Sequence, residues 1–169
     1  MEILTDDGKH ANPRAASVRI GADTATQYSG QRRHDLRIGP QPAYFDGERT
    51  DLNRVLIAAP EPATMRKIAE ARRALRPTQR AMKSNAAIAT AGIITFGSEA
   101  ARMFERLSPE QQDQAFLDLA EVVAIRLQTS LHGLVIHLDE ATIHAHFTLC
   151  AYNMDGVPLS NATRPAIAS

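Results

Sequence analysis

One cysteine in 169 residues, Cys150, excludes a disulfide scaffold and a thiolate metal cluster. Set inside an apolar, strand-like run, it reads as a core residue. No stretch approaches the length of a membrane span, and Met1 to Asp7 lacks the basic region and apolar run of a secretion signal, so a soluble, cytoplasmic protein is expected. Net charge is zero, from 19 basic and 19 acidic residues, which argues against a globally basic nucleic-acid binder. There is no internal repeat, and the length suits one domain with a proper core.

The zero average hides an asymmetry. Arg66, Lys67, Arg72, Arg73, Arg76, Arg80 and Lys83 crowd one stretch and Arg32, Arg33 and Arg37 another, while acids gather in 105–121 and near both ends. Such clusters can form a local phosphate-binding surface on a neutral protein, or simply a solvated helix face.

Residues 1–15 read as a mobile lead-in, 16–160 as the domain, and 161–169 as a tail or a linker cut short. A weak strand is expected over 17–21. From Ser29 to Thr50 neither helical nor strand periodicity is visible, and a connection that long is usually functional or disordered. Pro60-Glu61-Pro62 opens a helix followed by Pro77. Residues 86–96 read as a buried strand, Ser98 and Ser108 as N-caps of a short and a long helix, and Gly133 as the end of the long one, which runs from Pro109 to about Ser130. Asn153-Met154-Asp155-Gly156 predicts a tight turn into a last short strand at Val157.

The densest chemistry lies in His137 to His146, reading HLDEATIHAH. Leu134-Val135-Ile136 leads in and Phe147 to Tyr152 leads out, both rich in strand-forming residues. Alternation puts His144 and His146 on one face, and a reversal over Asp139 to Thr142 brings His137 beside them. Any one of these histidines alone would read as a half-buried strand residue. Three in ten residues, with carboxylates between, point to a metal centre of three imidazoles with an open position, suited to Mn²⁺, Zn²⁺, Fe²⁺, Co²⁺ or Ni²⁺. Asp139 and Glu140 are placed to orient an imidazole through its other nitrogen.

Three blocks taken in order resemble the relaxase domain of the MobV/Pre plasmid mobilisation and recombination proteins, within the HUH endonuclease superfamily. They are His34-Asp35-Leu36-Arg37, similar to HNxR; Asp46 to Asn53, similar to D-x-x-R-S/T-x-L-N; and His137 to His146, similar to HxDExTPHxH. Asp35 stands where Asn is usual, and Ile143 where Pro is usual. The resemblance covers about residues 17–160. It implies an α+β single domain: an antiparallel sheet of about five strands, the histidine strands near its centre, with helices packed on it. It also implies metal-dependent nicking of one strand at an origin of transfer, through a covalent link to the 5′ phosphate.

On that resemblance His34 is the nucleophile and His137, His144 and His146 hold the metal, foremost Mn²⁺, with Mg²⁺, Zn²⁺, Co²⁺ or Ni²⁺ as alternatives. Asp35, Asp46 or Glu140 would fix the tautomer of His34. Glu140, Arg37 and Asp46 complete the expected catalytic set, Arg37 contacting phosphate. Single-stranded or hairpin DNA, with other mobilisation proteins as further partners, would be gripped by Arg32, Arg33, Arg37, Asn53, Arg66, Lys67, Arg73, Arg76 and Arg80, with strong salt dependence. Asp46 and Asn53 read equally well as turn-builders. Tyr28 and Tyr44 are alternative nucleophiles. Two other classes stay open: a metal-dependent phosphodiester hydrolase with Glu140 as general base, and a DNA-binding module without chemistry.

Overall fold

A computed structural model describes residues 13–40, 43, 46–77 and 80–162. Among them five strands form one sheet: β1 (Ala16–Thr24), β2 (Arg54–Ile57), β3 (Ala87–Phe96), β4 (Leu131–His137) and β5 (His144–Cys150). The order is β1-β3-β5-β4-β2, with every neighbouring pair antiparallel. The α+β sheet inferred from the resemblance is therefore present, and the histidine strands β4 and β5 lie adjacent near its middle.

Helices cover both faces. On one, α3 (Ser98–Glu105) and α4 (Pro109–Arg126) deliver Phe104, Phe116, Ala120 and Val123 to a core with Ile94, Leu134, Ile136, Ala145, Phe147 and Leu149. On the other, α1 (Ala25–Asp35) and α2 (Pro62–Arg73) bury Tyr28, Met65 and Ala69 against Ala89, Cys150 and Tyr152. Period-two alternation along β5 sorts the side chains: Ala145, Phe147 and Leu149 face the first core, so His144 and His146 face the side of α1. Cys150 is a fully buried core residue, as expected. No described helix is long and apolar enough to cross a membrane.

Four expectations need correction. The supposed connection from Ser29 is helical as far as Asp35, because Thr24 and Gln27 form a capping box that starts α1. The long helix ends at Arg126, and Gln128 rather than Gly133 takes the left-handed conformation beyond it, at φ 53°. Gly133 lies inside β4, where a Cβ would stand 3.0 Å from the Ala59 side chain and 3.1 Å from that of Thr148. Ser108 caps its helix as expected, whereas Ser98 is the first helical residue of α3. The free N–H groups of Glu99 and Ala100 donate instead to the carbonyl of Pro13. The expected final strand reduces to one bridge, Tyr152 with Pro158, after which Leu159–Ala162 is a helical turn, α5. Of the lead-in and tail, residues 1–12 and 163–169 lie outside the described residues.

Candidate metal centre

The β4–β5 hairpin sets His137 directly opposite His144, and His146 opposite Val135 and Ile93. The C-terminus of α1 then brings His34 and Asp35 onto the same spot. All four rings crowd together: His34 stacks on His146 with centroids 5.6 Å apart, and His137 lies 4.8 Å from His146 and 5.1 Å from His144. Asp35 Oδ1 stands in their midst, 2.5 Å from His146 Nδ1, 3.2 Å from His137 Nε2 and 3.3 Å from His34 Nδ1. One turn earlier, the Gln31 amide donates to the same oxygen at 2.8 Å.

Donor atoms of His34, Asp35, His137 and His146 all lie within 4.8 Å of one another, close enough to share one cation. His144 stands beside this group. Its Nδ1 donates to the Thr142 carbonyl at 2.8 Å, so its Nε2 carries a lone pair, and that lone pair points at Glu140 Oε2, 3.2 Å away. Two lone-pair donors facing each other at that distance call for positive charge between them. His137 Nδ1 is likewise buried without a hydrogen-bond partner.

Electrostatics keep these groups in metal-binding form. Burial pushes His137 and His144 below the ordinary histidine value, outweighing the pull of Asp35 on the first and of the Thr142 carbonyl on the second. Burial alone would raise Asp35, but contacts with His137, His146 and His34 hold its carboxyl well below the usual carboxylate range. Neutral imidazoles and an ionised carboxylate are the protonation states that coordinate a divalent ion, so the donor set fits the implied metal.

A second layer holds the hairpin turn. Asp139 is fully buried, and the Arg37 fork donates to both its oxygens, from Nε at 2.8 Å and Nη2 at 2.5 Å. Nη2 also reaches Glu140 Oε1 at 3.1 Å, and Nη1 donates to the His34 carbonyl at 2.7 Å. Burial would raise the Asp139 carboxyl; Arg37 overrides it and holds the group well below its ordinary value. Thr50 Oγ1 donates to Asp139 at 3.1 Å, the Asp46 amide donates to the Asp139 carbonyl at 2.9 Å, and Asn53 Oδ1 accepts from the amides of Leu138 and Asp139. All three sequence blocks thus meet in space.

Several of the expected site residues have partners within the protein. Arg37 spends its guanidinium inside the protein, its side chain only 7 % exposed, rather than on phosphate. Asp46, whose side chain accepts from the Glu48 amide, and Asn53 both clamp the turn. Tyr28 is 2 % exposed, its hydroxyl donates to the Pro60 carbonyl at 2.5 Å, and burial pushes it up to about 12, so it is no nucleophile. Tyr44 lies outside the described residues. Arg32 binds the Ala59 carbonyl and Glu61; Arg66 binds Glu70 and the carbonyls of Met82 and Lys83; Arg73 donates to the Arg80 carbonyl. The helix α2 packs near Cys150 and Tyr152, about 20 Å along β5 from His144 by strand rise. Arg33, Lys67, Arg76 and Arg80 are exposed.

A cavity of about 480 Å³ opens beside the cluster, lined by His34, Glu140, Thr142, His144, His146 and Thr95 among others. A smaller one of about 210 Å³ lies behind it, between Arg19, Gln31, Asp35, Ile93 and His146. Gln31 lies outside the three motif blocks, whereas Thr50 and Thr142 occupy motif positions in two of them but had been assigned no role. Gln31 could have been found from the Thr24/Gln27 capping box, which puts it four residues before Asp35 on one helix face.

A family model of plasmid recombination enzymes, Mob_Pre, matches residues 17–164. Comparison with curated proteins brings no match. Among solved structures, the fold matches the MobM relaxase domain (MOBV; Mob_Pre) bound to plasmid pMV158 oriT DNA of 22 nucleotides, in an Mn-bound crystal structure. The TM-score is 0.73 at 20 % identity, covering 89 % of this chain and 77 % of that one. An Mn-bound complex carrying a 3′ thiophosphate gives 0.71 at 20 % identity over the same shares. The complex with 26-nucleotide oriT DNA gives 0.64 at 18 %, over 89 % and 76 %. At such identity the likeness is one of fold.

Proposed function

The chain belongs to the Mob_Pre family of plasmid recombination enzymes, and from that premise we propose that residues 16–160 are a relaxase domain that nicks one DNA strand at an origin of transfer, in the cytoplasm. The observation that carries this is the convergence of His34 with a hairpin more than a hundred residues away. His34 stacks on His146 and lines the cavity beside the three-histidine face.

The chemistry follows from what these side chains can hold. Contact of His34 Nδ1 with Asp35 at 3.3 Å fixes the proton on that nitrogen, so Nε2 presents a lone pair. In-line attack of Nε2 on the scissile phosphorus forms an N–P bond and breaks the bond to the 3′ oxygen, which leaves and takes up a proton. The phosphorylated ring is then cationic, and the adjacent Asp35 carboxylate offsets its charge. Reversal by a 3′ hydroxyl rejoins the strand. His137, His144 and His146 would hold a divalent ion, which when bound would supply Lewis-acid polarisation of the phosphate oxygens. Arg37 and Asp139 keep Glu140 and the hairpin turn in place, and Arg33, Lys67 and Arg80 are among the exposed basic side chains that would meet the DNA backbone.

The test uses a random-sequence single-stranded DNA pool with Mn²⁺, resolved on a denaturing gel. Wild type forms a covalent adduct that disappears on chelation and in His34→Ala. An adduct that survives in His34→Ala removes His34 as nucleophile. Cleavage with no adduct in wild type replaces the transesterase by a hydrolase.

A further inference from the structure

We propose that Asp35 is itself a donor to the metal centre, and that its carboxylate shifts the preference of the site toward hard, oxygen-preferring cations such as Mn²⁺. The inference rests on the metal centre proposed above and adds to it a residue from outside the three-histidine motif. Asp35 is the last residue of α1, where the helix dipole presents its negative end, an unfavourable place for an anion. Its side chain is 11 % exposed, so water supplies little compensation. The fork of Arg37 is turned to Asp139 and Glu140. Gln31 gives Asp35 one amide proton, and the other groups within reach of its Oδ1 are ring nitrogens of His34, His137 and His146. A carboxylate oxygen set among imidazole nitrogens at these distances is placed to share one cation with them.

Spacing agrees. Two donors each about 2.2 Å from one ion at a right angle lie about 3 Å apart. Asp35 Oδ1 stands 3.2 Å from His137 Nε2, and it shares with His137 and His146 a group of donor atoms all within 4.8 Å of one another. Selectivity follows from donor chemistry. An all-imidazole site follows the general affinity order and favours Ni²⁺ over Mn²⁺, whereas a carboxylate shifts the balance toward Mn²⁺ and Mg²⁺.

The experiment is calorimetric titration of Mn²⁺ and, separately, Ni²⁺ into the full chain as wild type, Asp35→Asn and His137→Ala, with the visible spectrum of each Co²⁺-loaded protein as a second readout. Asp35→Asn keeps size and hydrogen-bonding capacity, and circular dichroism checks that it folds. Expected is a loss of Mn²⁺ affinity of about 10- to 100-fold, a smaller loss for Ni²⁺, and an altered Co²⁺ spectrum. Unchanged Mn²⁺ affinity, Mn²⁺/Ni²⁺ ratio and Co²⁺ spectrum in Asp35→Asn, with binding lost in His137→Ala, overturn the role of Asp35 alone. A wild type that takes up no Mn²⁺, or a His137→Ala that binds it as well as wild type does, removes the metal centre and the inference with it.

Discussion

Asp139 has no exposed surface, and its charge survives there because Arg37 meets it with two parallel hydrogen bonds, 102 residues away in the chain. Removing one partner of such a pair strands the other charge in the interior. Arg37→Ala is therefore expected to cost about 3–5 kcal/mol, read as a lower midpoint in urea unfolding. Arg37→Lys should cost less, since it keeps a positive charge for Asp139, but not nothing, since one ammonium cannot reproduce the fork. Wild-type stability in Arg37→Ala would deny the pair its structural role. The histidine spacing at 137, 144 and 146 was legible because alternation on a strand is a local rule. The partner of Arg37 was not, because nothing local separates an arginine that meets phosphate from one that meets a buried aspartate.

At the scale of elements, α1 decides whether there is a site at all, since it carries His34 and Asp35. Its sequence is polar, it contains Gly30, and Tyr28 is its one buried residue, so no apolar stripe announced it. The signal that was present was its capping box, Thr24 accepting from the Gln27 amide while Gln27 accepts from that of Thr24. Thr24→Ala is expected to cost about 1 kcal/mol and, by fraying the helix, to lower adduct yield on single-stranded DNA. A melting temperature and yield equal to wild type would count against that coupling. The end of α4 teaches the converse. Glycine is the usual residue beyond a helix, which favoured Gly133, yet Gln128 adopts φ 53° and Gly133 serves close packing against Ala59 and Thr148. Backbone conformation depends on which neighbours crowd a position, and those neighbours come from other elements.

For the molecule as a whole, the donors sit on α1, β4 and β5, which the unfolded chain does not hold together, so a bound ion stabilises the folded state. Mn²⁺ at about 100 times its dissociation constant should add about 2.7 kcal/mol, seen as a higher melting temperature that a chelator reverses. A melting temperature indifferent to Mn²⁺ would contradict a centre assembled by folding. The arginine-rich stretch shows what composition alone leaves open: Arg66 and Arg73 are tied to carbonyls around residues 80–83, and α2 packs at the far end of the histidine face. What the sequence by itself determined was local and periodic: the strand character around HLDEATIHAH, the same-face spacing of His144 and His146, the Ser108 cap of α4, and three motif blocks in order. Only the tertiary structure decided that Asp35 stands among the imidazoles, that Arg37, Asp46 and Asn53 brace the hairpin, and that Tyr28 is core. The physical reason is range. Hydrophobic periodicity and capping act within a few residues of chain, whereas charge pairing and metal donation act through a few ångströms of space, across any length of sequence that folding brings together.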